Sequence, residues 1–95
     1  MIYEWDPAKA KANVKKHRVT FEEAASVFLD PSALTFWDPD HSEEEDREIT
    51  IGRSARQRVL FVAHAAREGR IRIISARRAT RREQRQYEEA VGETT

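Results

Sequence analysis

The sequence predicts an α+β fold. It is a four-stranded antiparallel sheet with a short extra strand at the N-terminus, flanked by two N-terminal helices and one C-terminal helix. Three observations predict it. Between residues 7 and 29 apolar side chains recur at helical spacing behind capping residues. From Ala33 the period switches to two, and a capping sequence at Thr80 opens a last helix. The 95 residues suit one domain, residues 1–95, and show neither a repeat nor a low-complexity linker.

Ile2-Tyr3-Glu4-Trp5 alternates and reads as a short strand. Asp6-Pro7 comes next, an N-cap residue and then a proline at the first helical position, where its missing N–H costs nothing. That helix runs to about His17 with a thin apolar stripe, Ala10 and Val14, and lysines in its last turns. Thr20-Phe21-Glu22-Glu23 is a capping box for a second helix. Its core-facing positions are Phe21, Ala24, Ala25, Phe28 and Leu29, and Asp30-Pro31 ends it.

Ala33 to Trp37 reads as the next strand, with Trp37 assigned to the core, followed by the polar loop Asp38 to Ser42. Arg47 to Arg53 sets Ile49 and Ile51 on one face, Glu48 and Thr50 on the other. Val59 to Ala63 is apolar on both faces, as a central strand is. Glu68-Gly69 turns the chain into Arg70 to Ala76, where Ile71 and Ile73 oppose Arg70 and Arg72. The short connections imply an antiparallel meander. Thr80-Arg81-Arg82-Glu83 is a second capping box, and the helix it opens ends near Ala90. That helix has so few apolar residues that it must dock through Tyr87, also assigned to the core, or lean on another chain.

Composition removes whole classes of function. With no cysteine there is neither a disulfide framework nor a Cys-ligated zinc, and three histidines leave little room for a His-rich metal centre. No apolar run is long enough to span a membrane and no secretory N-terminus is present, so the expected location is cytoplasmic. The acidic run Asp38, Asp40, His41, Glu43, Glu44, Glu45 and Asp46 lacks the glycine and glutamate spacing of a calcium loop and reads as a solvated loop. No metal site and no cofactor are expected. Nothing resembles a Ser/His/Asp or Cys/His nucleophile, a phosphate loop or a dinucleotide fingerprint.

Seventeen basic residues balance seventeen acidic ones, but the balance is segregated. Residues 1–19 carry +3, residues 20–50 carry −9, residues 53–85 carry +9, and the tail carries −3. All eleven bases of the third block are arginine, whose fork matches phosphate oxygens bidentately. A surface laced with Arg–Glu pairs, the acidic block folded onto the basic one, is the competing reading.

If the block forms a site, its chemistry suits RNA cleavage without a metal. Arginines stabilise the charge that grows on the phosphorane, and a histidine of ordinary pKa moves protons. Arg53, His64 and Arg77 close successive strands and are the catalytic candidates. Arg72, Arg78, Arg81, Arg82 and Tyr87 are the substrate-binding candidates, beside the positive N-terminus of the last helix. Strand direction places Arg53 and Arg77 at one end, with His64 either at the opposite end or deeper in the sheet. His64 also reads as a satisfied core residue.

The order of motifs resembles the BrnT family of toxins from type II toxin–antitoxin modules. The resemblance rests on Tyr3-Glu4-Trp5-Asp6, on Asn13 with Lys16-His17, on Phe21-Glu22-Glu23-Ala24 and on Asp38 to His41. Ile51-Gly52-Arg53-Ser54, Ile71 to Arg77, and Thr80 with Arg81, Glu83 and Tyr87 complete it. It implies a RelE-like fold and ribonuclease activity. It also implies a BrnA-type ribbon-helix-helix antitoxin as partner, with DNA operator contact only through that antitoxin. Family members usually carry glycine after the Lys-His pair, where this chain has Arg18.

These residues support two functions. The first is a metal-independent endoribonuclease toxin acting on RNA and silenced by its antitoxin, which covers the basic face or pairs with a sheet edge. The second is a non-catalytic module that uses the arginine-rich face to bind nucleic acid or an acidic partner. Unbound, the chain exposes that face and would self-associate, as in a homodimer; no membrane partner is expected.

Overall fold

A computed structural model describes residues 2–40 and 46–94. His41 to Glu45, part of the acidic run, lie outside the described residues. The chain forms β1 (Ile2–Glu4), α1 (Pro7–His17), α2 (Phe21–Ser26) and a 3-10 turn (Val27–Leu29). Then come β2 (Leu34–Trp37), β3 (Arg47–Arg53), β4 (Val59–Arg67), β5 (Arg70–Arg78) and α3 (Arg81–Thr94).

The sheet has the order β1-β5-β4-β3-β2. Strands β2 to β5 form the expected antiparallel meander, but β1 joins the edge parallel to β5, with Tyr3 opposite Ile71. The sheet is therefore mixed, not antiparallel throughout. Short connections make consecutive strands antiparallel, whereas β1 pairs with β5, the strand most distant from it in sequence.

Each sheet face carries its own core. Helices α1 and α2 bury Val19, Phe21, Ala24 and Val27 against Leu60, Val62, Ile73 and Ala76. On the other face α3 lays Tyr87 and Val91 over Ile49, Ile51, Val59 and Ala63. The last helix thus docks on its own sheet through Tyr87. Asn13 joins α1 to the first core: its Nδ2 donates to the carbonyls of Val19 and Ala76, and its Oδ1 accepts the Ala76 amide. An amide with every arm used is how a polar side chain tolerates burial.

Leu29 and Trp37 depart from the expected core. Leu29 is 81% exposed, whereas Val27 is fully buried. After Ser26 the helix tightens to three residues per turn, which rotates Val27 inward and Leu29 outward. Trp37 is 59% exposed because β2 is an edge strand, and the helices cover β5 and β3 rather than β2. Gly52 allows the 3-10 turn to close on β3: a Cβ there would lie 2.8 Å from Val27 Cγ1 and 2.9 Å from Ala33 Cβ.

Strands β4 and β5 continue to Arg67 and Arg78, farther than the sequence predicts, through a tight turn with positive φ at both Glu68 and Gly69. One irregularity interrupts their pairing. His64 faces Ile73 and Ala63 faces Ser75, leaving Ile74 as an extra residue in β5. Such a bulge reverses the facing of the residues beyond it. Ala76 then joins Ile73 in the first core, and Arg77 turns to the side of α3.

Candidate active site

The topology brings part of the arginine block, Arg53, Arg77 and Arg78, to one end of the sheet, and leaves Arg67, Arg70 and Arg72 towards the other. Arg53 ends β3 opposite Val59, the first residue of β4, and the Ala79 amide donates to the Val59 carbonyl at 2.9 Å. The exits of β3 and β5, the start of α3 and the 54–58 loop therefore share that end. The end of α1 joins them, since Arg58 Nη2 donates to the Arg18 carbonyl at 3.1 Å. Arg18 thus lies beside Arg58. Trp37 and Arg47, which flank the acidic segment, mark the opposite end.

On the α3 face two arginines meet two α3 side chains one helical turn apart. Arg77 forks onto Glu83, with Nη1 at 2.8 Å from Oε1 and Nη2 at 3.0 Å from Oε2. Its guanidinium carbon also stacks 3.9 Å from the Phe61 ring centroid. Glu83 closes the capping box as well, accepting the Thr80 amide at 2.8 Å while Thr80 Oγ1 accepts the Glu83 amide. Burial raises the Glu83 carboxyl, but Arg77 and the Thr80 amide outweigh it and hold the group below its ordinary range.

Arg53 lies 5.8 Å from the Tyr87 ring centroid and donates to the Gln57 carbonyl. The Tyr87 hydroxyl donates to Asp30 Oδ2 at 2.6 Å, and the Arg53 amide donates to the same oxygen at 2.8 Å. Burial and the Asp30 carboxylate raise the Tyr87 phenol. The carboxylate occupies the stretch of β3 edge beyond Leu34, where β2 has not yet begun. Only β4 separates Arg53 from Arg77. Two strand spacings and a two-residue offset put their Cα atoms about 12 Å apart, a gap that two extended arginines can close.

His64 is elsewhere. It lies inside β4, not at its end, and faces the opposite side of the sheet. Its Nε2 is 2.7 Å from Thr50 Oγ1, its ring meets Phe28 edge-on at 4.8 Å, and it is 4% exposed. Burial pushes its pKa down to about 4. One phosphodiester cannot touch His64 together with Arg53 and Arg77 across the sheet.

The substrate-binding candidates divide too. Arg72 lies on the α3 face toward the far end of β5, Arg78 on the α1 side, and Arg81 and Arg82 at the exposed start of α3. Tyr87 is 4% exposed, so its ring packs as core and its hydroxyl is committed to Asp30. Arg58 pairs with Glu23, Arg70 with Glu4 and Arg77 with Glu83. No described carboxylate pairs with Arg53, Arg72, Arg78, Arg81, Arg82 or Arg85. Charge neutralisation of the arginine block is thus partial among the described residues. No three His, Asp or Glu side chains gather as metal ligands among the described residues.

Comparison with known proteins decides the family. Residues 5–83 match the family described as "Ribonuclease toxin, BrnT, of type II toxin-antitoxin system". The chain belongs to the BrnT family. The crystal structure of the Brucella abortus ribonuclease toxin BrnT is similar to it with a TM-score of 0.65 and 22% identity. That match covers 85% of this chain and 100% of the Brucella protein, and it establishes a shared fold. No curated protein matches this sequence significantly. In this BrnT chain no helix among the described residues is long and apolar enough to cross a membrane.

The residues that sequence reasoning passed over are Glu83, Phe61 and Asp30. Glu83 reads as a helix cap, Phe61 as core and Asp30 as a helix stop, and each also holds an arginine segment. A signal for Glu83 was present: a lone glutamate in a run of arginines, three residues past a cap.

Proposed function

We propose that this BrnT chain is an endoribonuclease that cleaves RNA without a metal ion, using the arginine-bearing α3 face. The 2′-hydroxyl of RNA supplies the nucleophile, so the protein needs to grip the phosphate and move protons. Arg53 and Arg77 would bind the non-bridging oxygens, where guanidinium groups stabilise the charge developing in the transition state. Arg72, Arg78, Arg81 and Arg82 would hold flanking phosphates. His64, buried on the other face, takes a structural role in this reading. The observation that carries it is the placement of Arg53 and Arg77 on one face, at the end where β3 and β5 leave the sheet.

A BrnA-like antitoxin with a ribbon-helix-helix region would silence the toxin and bring it to the operator DNA. We read the architecture as RelE-like, supported by a four-strand antiparallel meander with two helices on one face and one on the other. The experiment is cleavage by antitoxin-free protein in EDTA. Wild type should degrade RNA, and Arg53→Ala and Arg77→Ala should each lose tenfold or more, since one transition-state donor is worth about 3 kcal/mol. Loss of all activity on chelation would overturn the metal-free mechanism.

A non-catalytic binding module has one observation in its favour, the prior pairing of Arg77 with Glu83. It requires RNA affinity that falls steeply with salt and no cleavage products at all.

A further inference from the structure

We propose that the Glu83 carboxylate is the general base of this cleavage, receiving the proton of the attacking 2′-hydroxyl beside Arg77. The inference rests on the ribonuclease reading above and assigns it the proton acceptor that His64, on the wrong face, cannot supply.

Position is the first argument. Glu83 projects from the first turn of α3 onto Arg77, and no other described carboxylate touches an arginine of the proposed phosphate grip through its side chain. The rest are occupied or distant. Glu23 is buried between Arg58 and Ser54 on the α2 side. Asp30 accepts from Tyr87, the Arg53 amide and the Ser32 amide. Glu4 pairs with Arg70 at the far end of β5.

Anchoring is the second argument. Glu83 Oε1 accepts the Thr80 amide, so the carboxylate keeps its place when Arg77 turns from it to a phosphate. Arg77 is anchored independently by its stack on Phe61. A phosphodiester arriving between them exchanges one anion for another on Arg77 and frees a Glu83 oxygen for the 2′-hydroxyl. The neighbouring Arg78, Arg81 and Arg82, unpaired among the described residues, attract that phosphate. The side chain is 18% exposed, enough for a substrate hydroxyl to reach it. Arg77 and the Thr80 amide keep it ionised at neutral pH, the form a base requires.

The step balances. The 2′-hydroxyl proton passes to Glu83 as the 2′-oxygen bonds to phosphorus. The bond from phosphorus to the 5′-oxygen breaks, its electron pair leaves with that oxygen, and the oxygen takes a proton from water. Glu83 returns its proton to the hydroxide formed. The products are a 2′,3′-cyclic phosphate and a 5′-hydroxyl.

The test compares wild type, Glu83→Gln and Glu83→Asp on a short RNA under single-turnover conditions across pH. Affinity is measured on the 2′-deoxy oligonucleotide of the same sequence. Glu83→Gln keeps an oxygen for the Thr80 amide, so α3 stays capped. It should lose 100-fold or more in rate, the usual worth of a general base, with affinity within threefold of wild type. The acidic limb of the pH–rate profile should vanish in Glu83→Gln and persist, at a reduced rate, in Glu83→Asp. Cleavage by folded Glu83→Gln within threefold of wild type would overturn the assignment and leave the ribonuclease reading intact. Loss in Glu83→Gln that tracks its thermal melting, with the acidic limb unchanged, would overturn it as well. A wild type that cleaves without forming cyclic phosphate would overturn the assignment too, and one that yields no cleavage product at all would overturn the ribonuclease reading itself.

Discussion

Asp30 and Tyr87, 57 positions apart, share a hydrogen bond of 2.6 Å that ties the α2 layer to α3 around the open edge of β3. Asp30 Oδ2 also accepts the Arg53 amide, so one carboxylate sets both the docking of the last helix and the exit of β3. Tyr87→Phe keeps the ring over Ile51 and Val59 and removes only the hydroxyl. Hydrogen bonds to a charged partner contribute about 1.5–3 kcal/mol, and Asp30 keeps two amide donors, so the expected loss is near the lower value. Urea unfolding checks this, and amide exchange should speed up in α3 before it does in β4.

His64 gives the fold an acid sensitivity of its own. Its folded pKa of about 4 lies below the ordinary 6.5, so between those values the unfolded chain binds more protons than the native one. Stability is full above about pH 6.5, falls as pH drops towards 4, and levels out below. The expected loss is about 3 kcal/mol, at 1.4 kcal/mol per unit. His64→Gln, which can still bond to Thr50, should flatten the dependence from pH 6.5 to 4.5 in thermal melts. The same variant should retain RNA cleavage; a hundredfold loss would return His64 to the catalytic set.

The Glu23–Arg58 pair predicts a different asymmetry. Arg58 donates through Nε at 2.9 Å and through Nη2 to a carboxylate that also accepts Ser54 Oγ, with the glutamate side chain 4% exposed. Removing the arginine strands a buried charge, at an expected cost of about 3 kcal/mol. Arg58→Met with Glu23→Gln should recover a substantial part of that loss in a double-mutant cycle. Burial raises the Glu23 carboxyl, while Arg58 and Ser54 lower it below its ordinary 4.5 overall. The stabilisation by the pair is thus present above about pH 4.5 and lost as pH falls through the folded value, below most of the His64 window.

Local patterns made most of the elements legible: Asp6-Pro7, the Thr20 and Thr80 caps and the alternation of Ile49, Ile51, Ile71 and Ile73 all lie where the chain uses them. What failed was set by partners distant in sequence. The Thr20 box is half built, because Thr20 Oγ1 takes the Glu23 amide while the Glu23 carboxylate turns to Arg58 instead of the Thr20 amide. Alternation carried Ile71 and Ile73 correctly, but the extra residue Ile74 reverses the facing of Arg77, and no local propensity marks it. His64 looked like a strand end since three small residues surround it, yet β4 runs through Ala65 and Ala66 to Arg67. Arg53 and Arg77 were legible as a pair because alternate strands end on the same side; their α3 partners required the helix to be docked.

Arg18 supplies the last prediction. It stands where α1 stops, with φ 61° and ψ 32°, in the left-handed conformation that glycine adopts freely. An L side chain there costs roughly 1–2 kcal/mol, partly offset because glycine loses more backbone freedom on folding. The Arg18 amide donates to the Val14 carbonyl and its carbonyl accepts from Arg58, both backbone groups that substitution leaves in place. Arg18→Gly should therefore stabilise the chain by about 0.5–1 kcal/mol, raising Tm by about 2–8 °C for a chain of this size. It also removes one cation from the basic end, so RNA affinity should weaken and lose part of its salt dependence. Arg18→Ala separates the two effects: it should weaken RNA binding equally and leave the strain, and hence Tm, nearly unchanged.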